Sequence, residues 1–342
     1  MHKLTGENRI VALLQNRYSS MNRLLKKGIG DDAAVIRPGG AKEYWSITTD
    51  MLVENVDFRR EWTNPGWLGF KSLSVNLSDL AAMGARPRFF MVSLALPSGL
   101  SPRSWIVQFY KGLAELADSQ GILLIGGDLS HSESGITICV TAFGESHKHR
   151  VLYRSGGHPG DRLYVTGVLG KSAAGLQLLQ AGCAHPRKGP QKEAVRAHQR
   201  PEPRCNVGVW LAQSGLVSCM MDISDGLSTD LPRLCRASCV GAEIDAADLP
   251  LFPQSSSWNC DPLALALDGG EDYELLFAVP PTRAETLERN YPAEFPPIAG
   301  IGKLTRDLQI RIIEAGKRKH RLLEKGYDHF RRRTQPAGVT AG

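Results

Sequence analysis

The sequence is short of several things, and each shortage removes a class of protein. Its seven cysteines (139, 183, 205, 219, 235, 239 and 260) are odd in number and include no Cys-x-x-Cys pair. A disulfide scaffold and a cysteine-rich zinc module are therefore excluded as the main reading, and a reducing, cytoplasmic setting is expected. No uncharged apolar run approaches the roughly 18 residues of a membrane span. The segment from Met1 to Ser20 has neither a long apolar block nor a small-residue cleavage pattern, so no secretory signal is expected. His-Glu-x-x-His, Gly-x-Ser-x-Gly and the protein-kinase His-Arg-Asp and Asp-Phe-Gly signatures are all missing, which argues against zinc hydrolases, serine hydrolases and protein kinases.

What is present is an ordinary globular composition: 42% hydrophobic and 22% charged residues in 342. That length suits about two domains. The net charge of +6 is confined to one segment. Between Gly316 and Arg333 stand eight bases against two acids, and the remaining 33 bases and 33 acids balance. Such a run can bind nucleic acid. Here Leu322, Leu323, Tyr327 and Phe330 are interleaved with it, so a solvated surface or a packing segment is the preferred reading.

Strand-like and helix-like blocks alternate along the chain. Ala33–Arg37, Tyr44–Thr49, Arg88–Leu96, Ile122–Ile125 and Gly135–Phe143 read as strands, with helices over Pro65–Gly84 and Pro102–Ser119. After a Gly-rich turn at Ser155–Gly160 the style repeats. Arg162–Thr166, Cys219–Met221, Ala242–Ile244 and Tyr273–Val279 are strand-like; Ser172–Gln180, Val207–Ser214 and Leu227–Ser238 are helical. His185–Pro203 reads as a loop around one short helix. This mixture means α/β and α+β layers. The expected division is an N-terminal domain over 1–148, a C-terminal domain over 149–333 and a disordered tail over 334–342.

Carboxylates recur where apolar elements meet glycine or turns. Gly28-Ile-Gly-Asp31-Asp32 opens a strand, Thr48-Thr49-Asp50 closes the next, and Asn76-Leu-Ser78-Asp79 lies on the first long helix. Gly126-Gly127-Asp128 follows an apolar run taken as buried. Asp222-Ile-Ser224-Asp225-Gly226 and Gly269-Gly270-Glu271-Asp272 flank later strands. One Asp-Gly is usually a turn. Six such clusters are more than turns require, because Asn, Ser or Gly would serve a turn equally well. Converging carboxylates repel one another and need cations. Oxygen ligands favour Mg²⁺, which commonly also holds substrate phosphates. The usual phosphate loops are imperfect: Gly167–Ser172 has Val165 where a P-loop needs glycine, making Lys171 an exposed helix-start residue, and Gly28-x-Gly30-x-x-Ala33 would aim Asp31 and Asp32 at a pyrophosphate.

In their order, these motifs, with Arg154-Ser-Gly156 and Gly326-Tyr-Asp-His-Phe330, resemble the thiamine-monophosphate kinases of the aminoimidazole-ribonucleotide-synthetase-like superfamily. The resemblance runs from Gly28 to Phe330. It implies a two-domain fold of that type, with an N-terminal sheet pairing across a homodimer and a C-terminal α+β domain. It implies ATP-dependent phosphorylation of thiamine monophosphate to thiamine diphosphate by direct transfer, with several Mg²⁺ ions and no phosphoenzyme. Asp32, Thr48, Thr49, Asp50, Asp79, Asp128, Asp222 and Asp225 are then expected as metal ligands. Tyr110, Gly127, Asp128, Arg154 and Ser224 would meet ATP, and Asp57, Glu271 and Tyr327 the thiamine substrate. No membrane or nucleic-acid partner is implied. Leu129 departs from the family's frequent threonine after Gly-Gly-Asp, and Cys219-Met-Met221 is bulkier than usual.

Two other readings belong beside it. A purine-pathway cyclase of the same superfamily would use the same ATP cage for another product. A selenophosphate-forming member would need a reactive cysteine near the N-terminus, where the first cysteine here is Cys139.

Overall fold

The computed structural model describes residues 7–18, 23–38, 41–100, 102–183, 186, 188–253, 258, 260–314 and 318–329. The expected disordered tail over 334–342 lies outside the described residues. The first part of the chain runs α1 (Glu7–Tyr18), β1 (Leu25–Lys27), β2 (Ala34–Ile36), β3 (Glu43–Val53), α2 (Pro65–Ala82), β4 (Arg86–Pro97), α3 (Pro102–Gln120), β5 (Leu123–Ser132) and β6 (Thr137–His147). The second part runs β7 (Arg162–Thr166), α4 (Lys171–Gln180), α5 (Gly189–Gln199), α6 (Cys205–Ser214), β8 (Cys219–Ile223), α7 (Leu227–Ser238), β9 (Gly241–Asp245), α8 (Pro262–Asp268), β10 (Glu274–Val279), α9 (Pro281–Asn290), β11 (Ile298–Thr305), β12 (Ile310–Glu314) and β13 (Arg318–Arg321).

Each part builds one sheet. The first has six strands in the order β1-β2-β3-β6-β4-β5, and the second seven in the order β13-β12-β9-β11-β7-β10-β8. Both are mostly antiparallel, with parallel pairs only at β4–β5 and β9–β12. The α/β and α+β class is as expected. No helix among the described residues is long and apolar enough to cross a membrane.

Helix α2 organises the molecule. Asn64 caps it, its side chain accepting from Trp67 N at 2.9 Å, and Pro65 begins it. Both residue types suit those positions. The helix is buried on nearly every side, its apolar residues being spread around its circumference rather than along one stripe. It packs on α3, β3 and β6, and also on α6 and β8 of the second part. Its crossing with α3 is backbone to backbone: a Cβ on Gly112 would lie 1.7 Å from Gly66 O. Because α2 is central, the polar residues Lys71, Asn76, Ser78 and Asp79 are carried into the interior, where they need partners.

Some expectations need correction. Thr48-Thr49-Asp50 does not end a strand, since β3 continues to Val53. The run Ile122–Ile125 is not buried: Ile122 is, but Leu123, Leu124 and Ile125 are 62%, 45% and 55% exposed on the open edge strand β5. Gly126–Asp128 accordingly sits in mid-strand. Lys171 is half-buried rather than exposed, its Nζ 3.5 Å from Glu193 and over the Phe252 ring. Elements α1, α8, α9, β1 and β11–β13 had no clear sequence signal. Part of the basic C-terminal segment is structural: β13 pairs with β12, Lys319 Nζ meets Glu243 at 2.8 Å, and Leu322 enters the second core.

Candidate metal and phosphate site

Three carboxylates from distant parts of the chain converge. Asp32 comes from the bend before β2, Asp79 from the buried helix α2 and Asp222 from β8, the buried last strand of the second sheet. One oxygen from each lies within 4.8 Å of the others. Their surroundings fix them. Thr48 Oγ1 donates to Asp79 Oδ2 at 2.5 Å, and Ser78 Oγ donates to Asp222 Oδ2 at 2.6 Å. Arg154 donates from Nε and Nη2 to Asp32 Oδ1 at 3.0 and 2.5 Å. Asp32 Oδ2 is buried without a hydrogen-bond partner. An unpaired buried carboxylate oxygen, facing two further acids, is a donor set suited to a hard cation.

Strand periodicity brings in Asp50. On β3, Thr48 and Asp50 share the face turned to α2, and the Asp50 amide donates to Asn76 Oδ1 at 3.1 Å. The electrostatics follow from the crowding. Burial, then repulsion from Asp225 and Asp57, pushes the Asp50 carboxyl up to about 6. Burial and the charges of Asp50, Asp222 and Asp32 hold Asp79 well above the usual carboxylate range. Asp222 is raised by burial and by Asp32. Burial also raises Asp32, Arg154 opposing it only in part.

Around this cluster the second part of the chain contributes a rim. Asp230, in the first turn of α7, accepts from the amides of Ser224 and Asp225 at 3.0 and 2.9 Å, and Arg233 bridges Asp230 and Asp225. Burial and Asp225 push Asp230 to about 7. The Tyr327 amide donates to Asp225 O at 3.1 Å, and its ring meets His329 edge-on. Asp57 turns inward to accept from Val53 N at 2.8 Å, and its carboxyl is raised by burial. Glu271 is held between Lys71 and His198. Asp272, its neighbour, instead caps α4, accepting from Gly170 N at 2.7 Å and Ser172 N at 3.2 Å.

Asp32, Thr48, Asp50, Asp57, Asp79, Asp222, Asp225, Glu271 and Arg154 are thus gathered into one electrostatic neighbourhood. Four expected residues differ. The Thr49 side chain lies on the opposite face of β3, donating to Val140 O at 3.1 Å, so only its backbone can turn toward the cluster. Asp128 is exposed on β5, in a row with Ser93, Cys139 and Met51. Gly127 is required by its neighbour: a Cβ there would lie 1.8 Å from Val92 O. Tyr110 is half-buried, edge-on to Phe109. The sequence reading missed Lys71, Asn76, Asp230, Arg233, His198 and Tyr273. Tyr273 and Glu271 both have positive φ, +50° and +66°, which is uncommon for non-glycine residues and persists where the surroundings hold the backbone in place. The one available signal was Lys71, a cation inside an otherwise apolar helical run.

Residues 30–146 match the model of the AIR synthase related protein N-terminal domain, and residues 158–313 that of the C-terminal domain. The thiamine-monophosphate kinase of Bacillus subtilis is 37% identical over 312 residues, covering 89% of this chain and 93% of that one. That of Escherichia coli K12 is 37% identical over 328 residues, covering 95% and 98%. This chain belongs to the thiamine-monophosphate kinase family. Among solved structures, AaThiL complexed with AMPPCP and TMP superposes on the kinase-family fold seen here with a TM-score of 0.83 at 31% identity, covering 95% of this chain and 97% of that one.

A pH dependence follows for this family member without added metal. The folded carboxyls of Asp50, Asp230 and Asp272 sit at about 6, 7 and 7 against 3.8 for the ordinary group. Between those limits the folded state binds more protons than the unfolded one, so stability falls as pH rises. His198, which burial lowers, acts in the opposite sense below about 6.5 but is one group against several. In chelator the thermal midpoint is expected to drop between pH 5.5 and 8. Added Mg²⁺ is expected to raise it more at pH 8, where protons compete less. A midpoint that climbs toward pH 8 in chelator would contradict the assignment.

Proposed function

We propose that this chain transfers the γ-phosphoryl group of ATP to thiamine monophosphate, giving thiamine diphosphate, by direct in-line displacement. The observation that carries the reading is the convergence of Asp32, Asp79 and Asp222, with Asp50 and Asp225 beside them, in a member of this kinase family. The related AaThiL structure, with AMPPCP and TMP bound, supports the pairing of a nucleoside triphosphate with a phosphate acceptor.

The acceptor is a phosphate whose oxygen is already ionised near neutral pH, so no strong general base is required. The obstacle is repulsion between two anions. Several Mg²⁺ ions held by Asp32, Asp50, Asp79, Asp222 and Asp225, with the Thr48 hydroxyl and the Thr49 backbone carbonyl, would supply the neutralising charge. Arg154 commits Nε and Nη2 to Asp32 and keeps Nη1 for an ATP phosphate. Gly127, Ser224 and Tyr110 complete the proposed nucleotide side. Asp57, Glu271 and Tyr327 offer the cationic, aromatic thiamine moiety two carboxylates and a ring face.

We place the domain boundary near residue 148 and the enzyme in the cytoplasm, which suits its seven free cysteines. A homodimer is supported by the unpaired edge of β5 and by Met51, Leu123 and Leu129, each more than half exposed. Open apolar edges of this kind are normally covered. Light scattering that finds a monomer at micromolar concentration would remove the dimer.

A coupled ADP-release assay with ATP, Mg²⁺ and thiamine monophosphate tests the activity, run beside Asp50→Asn. Wild-type turnover and a folded, largely inactive variant are expected. ADP release with formylglycinamidine ribonucleotide but not with thiamine monophosphate would replace the proposal with the cyclase reading.

A further inference from the structure

Lys71 occupies a position where a cation is costly. It lies in the middle of α2 and is only 3% exposed. Its Nζ is 2.7 Å from Glu271 Oε1, and on the other side His198 Nδ1 is 3.0 Å from Glu271 Oε2. Each oxygen of one carboxylate therefore has its own donor, one from α2 and one from α5. Ser172 Oγ, 3.2 Å from the same His198 nitrogen, steadies the imidazole.

The backbone of Glu271 is constrained as well. Its φ of +66° is uncommon for glutamate. The amides on either side of Asp272 fasten it to β8 and the turn after it: Glu271 N donates to Ser224 O at 2.7 Å and Tyr273 N to Ile223 O at 2.9 Å. Burial alone would raise the Glu271 carboxyl, but Lys71 and then His198 outweigh it and hold it at about 2. Burial and Lys71 keep His198 below its ordinary value, and because the Glu271 carboxylate can only accept, Nδ1–H is the donor to it.

Lys71 and His198 also line a small surface cleft together with Asp57, Trp62 and Phe58. Glu271 does not line that cleft itself, but it is held by Lys71 and His198, which do, and Asp57 is close enough to feel the charges of both Glu271 and Lys71.

We propose that Lys71 and His198 are positioning residues for the phosphate acceptor, pinning both oxygens of Glu271 so that its carboxylate is set, with Asp57, to receive a cationic organic group. This rests on the reading of the protein as a thiamine-monophosphate kinase. A pair that merely ties α2 and α5 to the loop before β10 would affect both substrates through the fold. A positioning pair acts on the acceptor alone.

The test is a full kinetic and calorimetric comparison of His198→Leu, His198→Asn and Lys71→Met in the intact protein. Loss of a hydrogen bond to a charged group corresponds to roughly a 10- to 100-fold effect. His198→Leu is expected to raise KM and the calorimetric Kd for thiamine monophosphate by about that factor, with KM for ATP unchanged within about twofold. His198→Asn, whose amide N–H can replace Nδ1–H, is expected to recover binding to within about threefold. Lys71→Met should move the same constants in the same direction. If His198→Leu does not fold, His198→Asn and Lys71→Met carry the comparison. Parallel losses for ATP and acceptor, unchanged acceptor binding in folded variants, or no recovery with asparagine would each overturn the inference. Wild-type protein that neither binds nor phosphorylates thiamine monophosphate would remove the underlying reading; normal wild-type turnover with unaltered His198→Leu constants would remove only this step.

Discussion

Asp222→Asn is expected to lower kcat by about a thousandfold or more while the metal-free protein melts no lower than wild type. A thousandfold corresponds to roughly 4 kcal/mol of transition-state stabilisation, the scale on which a bound cation acts on transferring phosphate. The preserved stability has a separate cause. Asp222 is buried beside Asp32 and Asp79, and like charges so close repel by several kcal/mol at an effective dielectric constant of about 20. An amide removes one of those charges, and its oxygen can still accept from Ser78 Oγ. Activity is thus predicted to fall while the apo midpoint holds or rises. Steady-state kinetics and thermal melts in chelator measure the two. A variant that keeps more than a tenth of wild-type turnover would show that the acidic cluster does not hold the phosphates together.

Arg204→Met is expected to cost about 3–5 kcal/mol of stability, the usual consequence of leaving a buried charge without its partner. Glu274, on β10, is 4% exposed. It accepts from Arg204 Nε at 2.7 Å and Nη2 at 2.5 Å, and from Thr166 Oγ1 at 2.6 Å. Arg204 stands just before α6, so the ion pair joins a helix to β10, an interior strand next to the last one of the second sheet. Removing the guanidinium leaves Thr166 as the remaining hydrogen-bond donor to a desolvated carboxylate. The double variant Arg204→Met/Glu274→Leu should recover much of the loss, because an apolar pair needs no compensation. Urea denaturation measures all three proteins. A single variant within 1 kcal/mol of wild type, or a double variant additive with the singles, would show that the pair contributes little.

Several parts of this arrangement were legible in the chain. Helix α2 was readable because proline begins it and glycine stops it, and helix α3 because its apolar residues follow a helical period. The core strands carried dense β-branched and aromatic runs. The carboxylate motifs were visible too, because glycine and aspartate recur together more often than turns demand. Strand edges were less readable. Leu123, Leu124 and Ile125 have the composition of a buried strand but lie on an open edge, since side-chain chemistry does not say which strand ends a sheet. Of the late strands, β11 is interrupted by glycine and β12 and β13 are short or rich in basic residues, and β11 and β12 gain partners from β7 and β9, far back along the sequence.

By itself the sequence determined the two-part α/β and α+β organisation and the family to which the chain belongs, and it displayed the carboxylate motifs, because these depend on local pattern and residue type. Only the tertiary structure decided that Thr49 faces away from Asp50 and that Asp128 stands apart on the sheet edge. It also decided that Arg154 rests on Asp32 and that Lys71 and His198 grip Glu271. The physical reason is the same in each case. Charge interactions and hydrogen bonds act over a few ångströms of space, and residues some 50 to 200 positions apart reach that range only when α2 is buried between the two sheets.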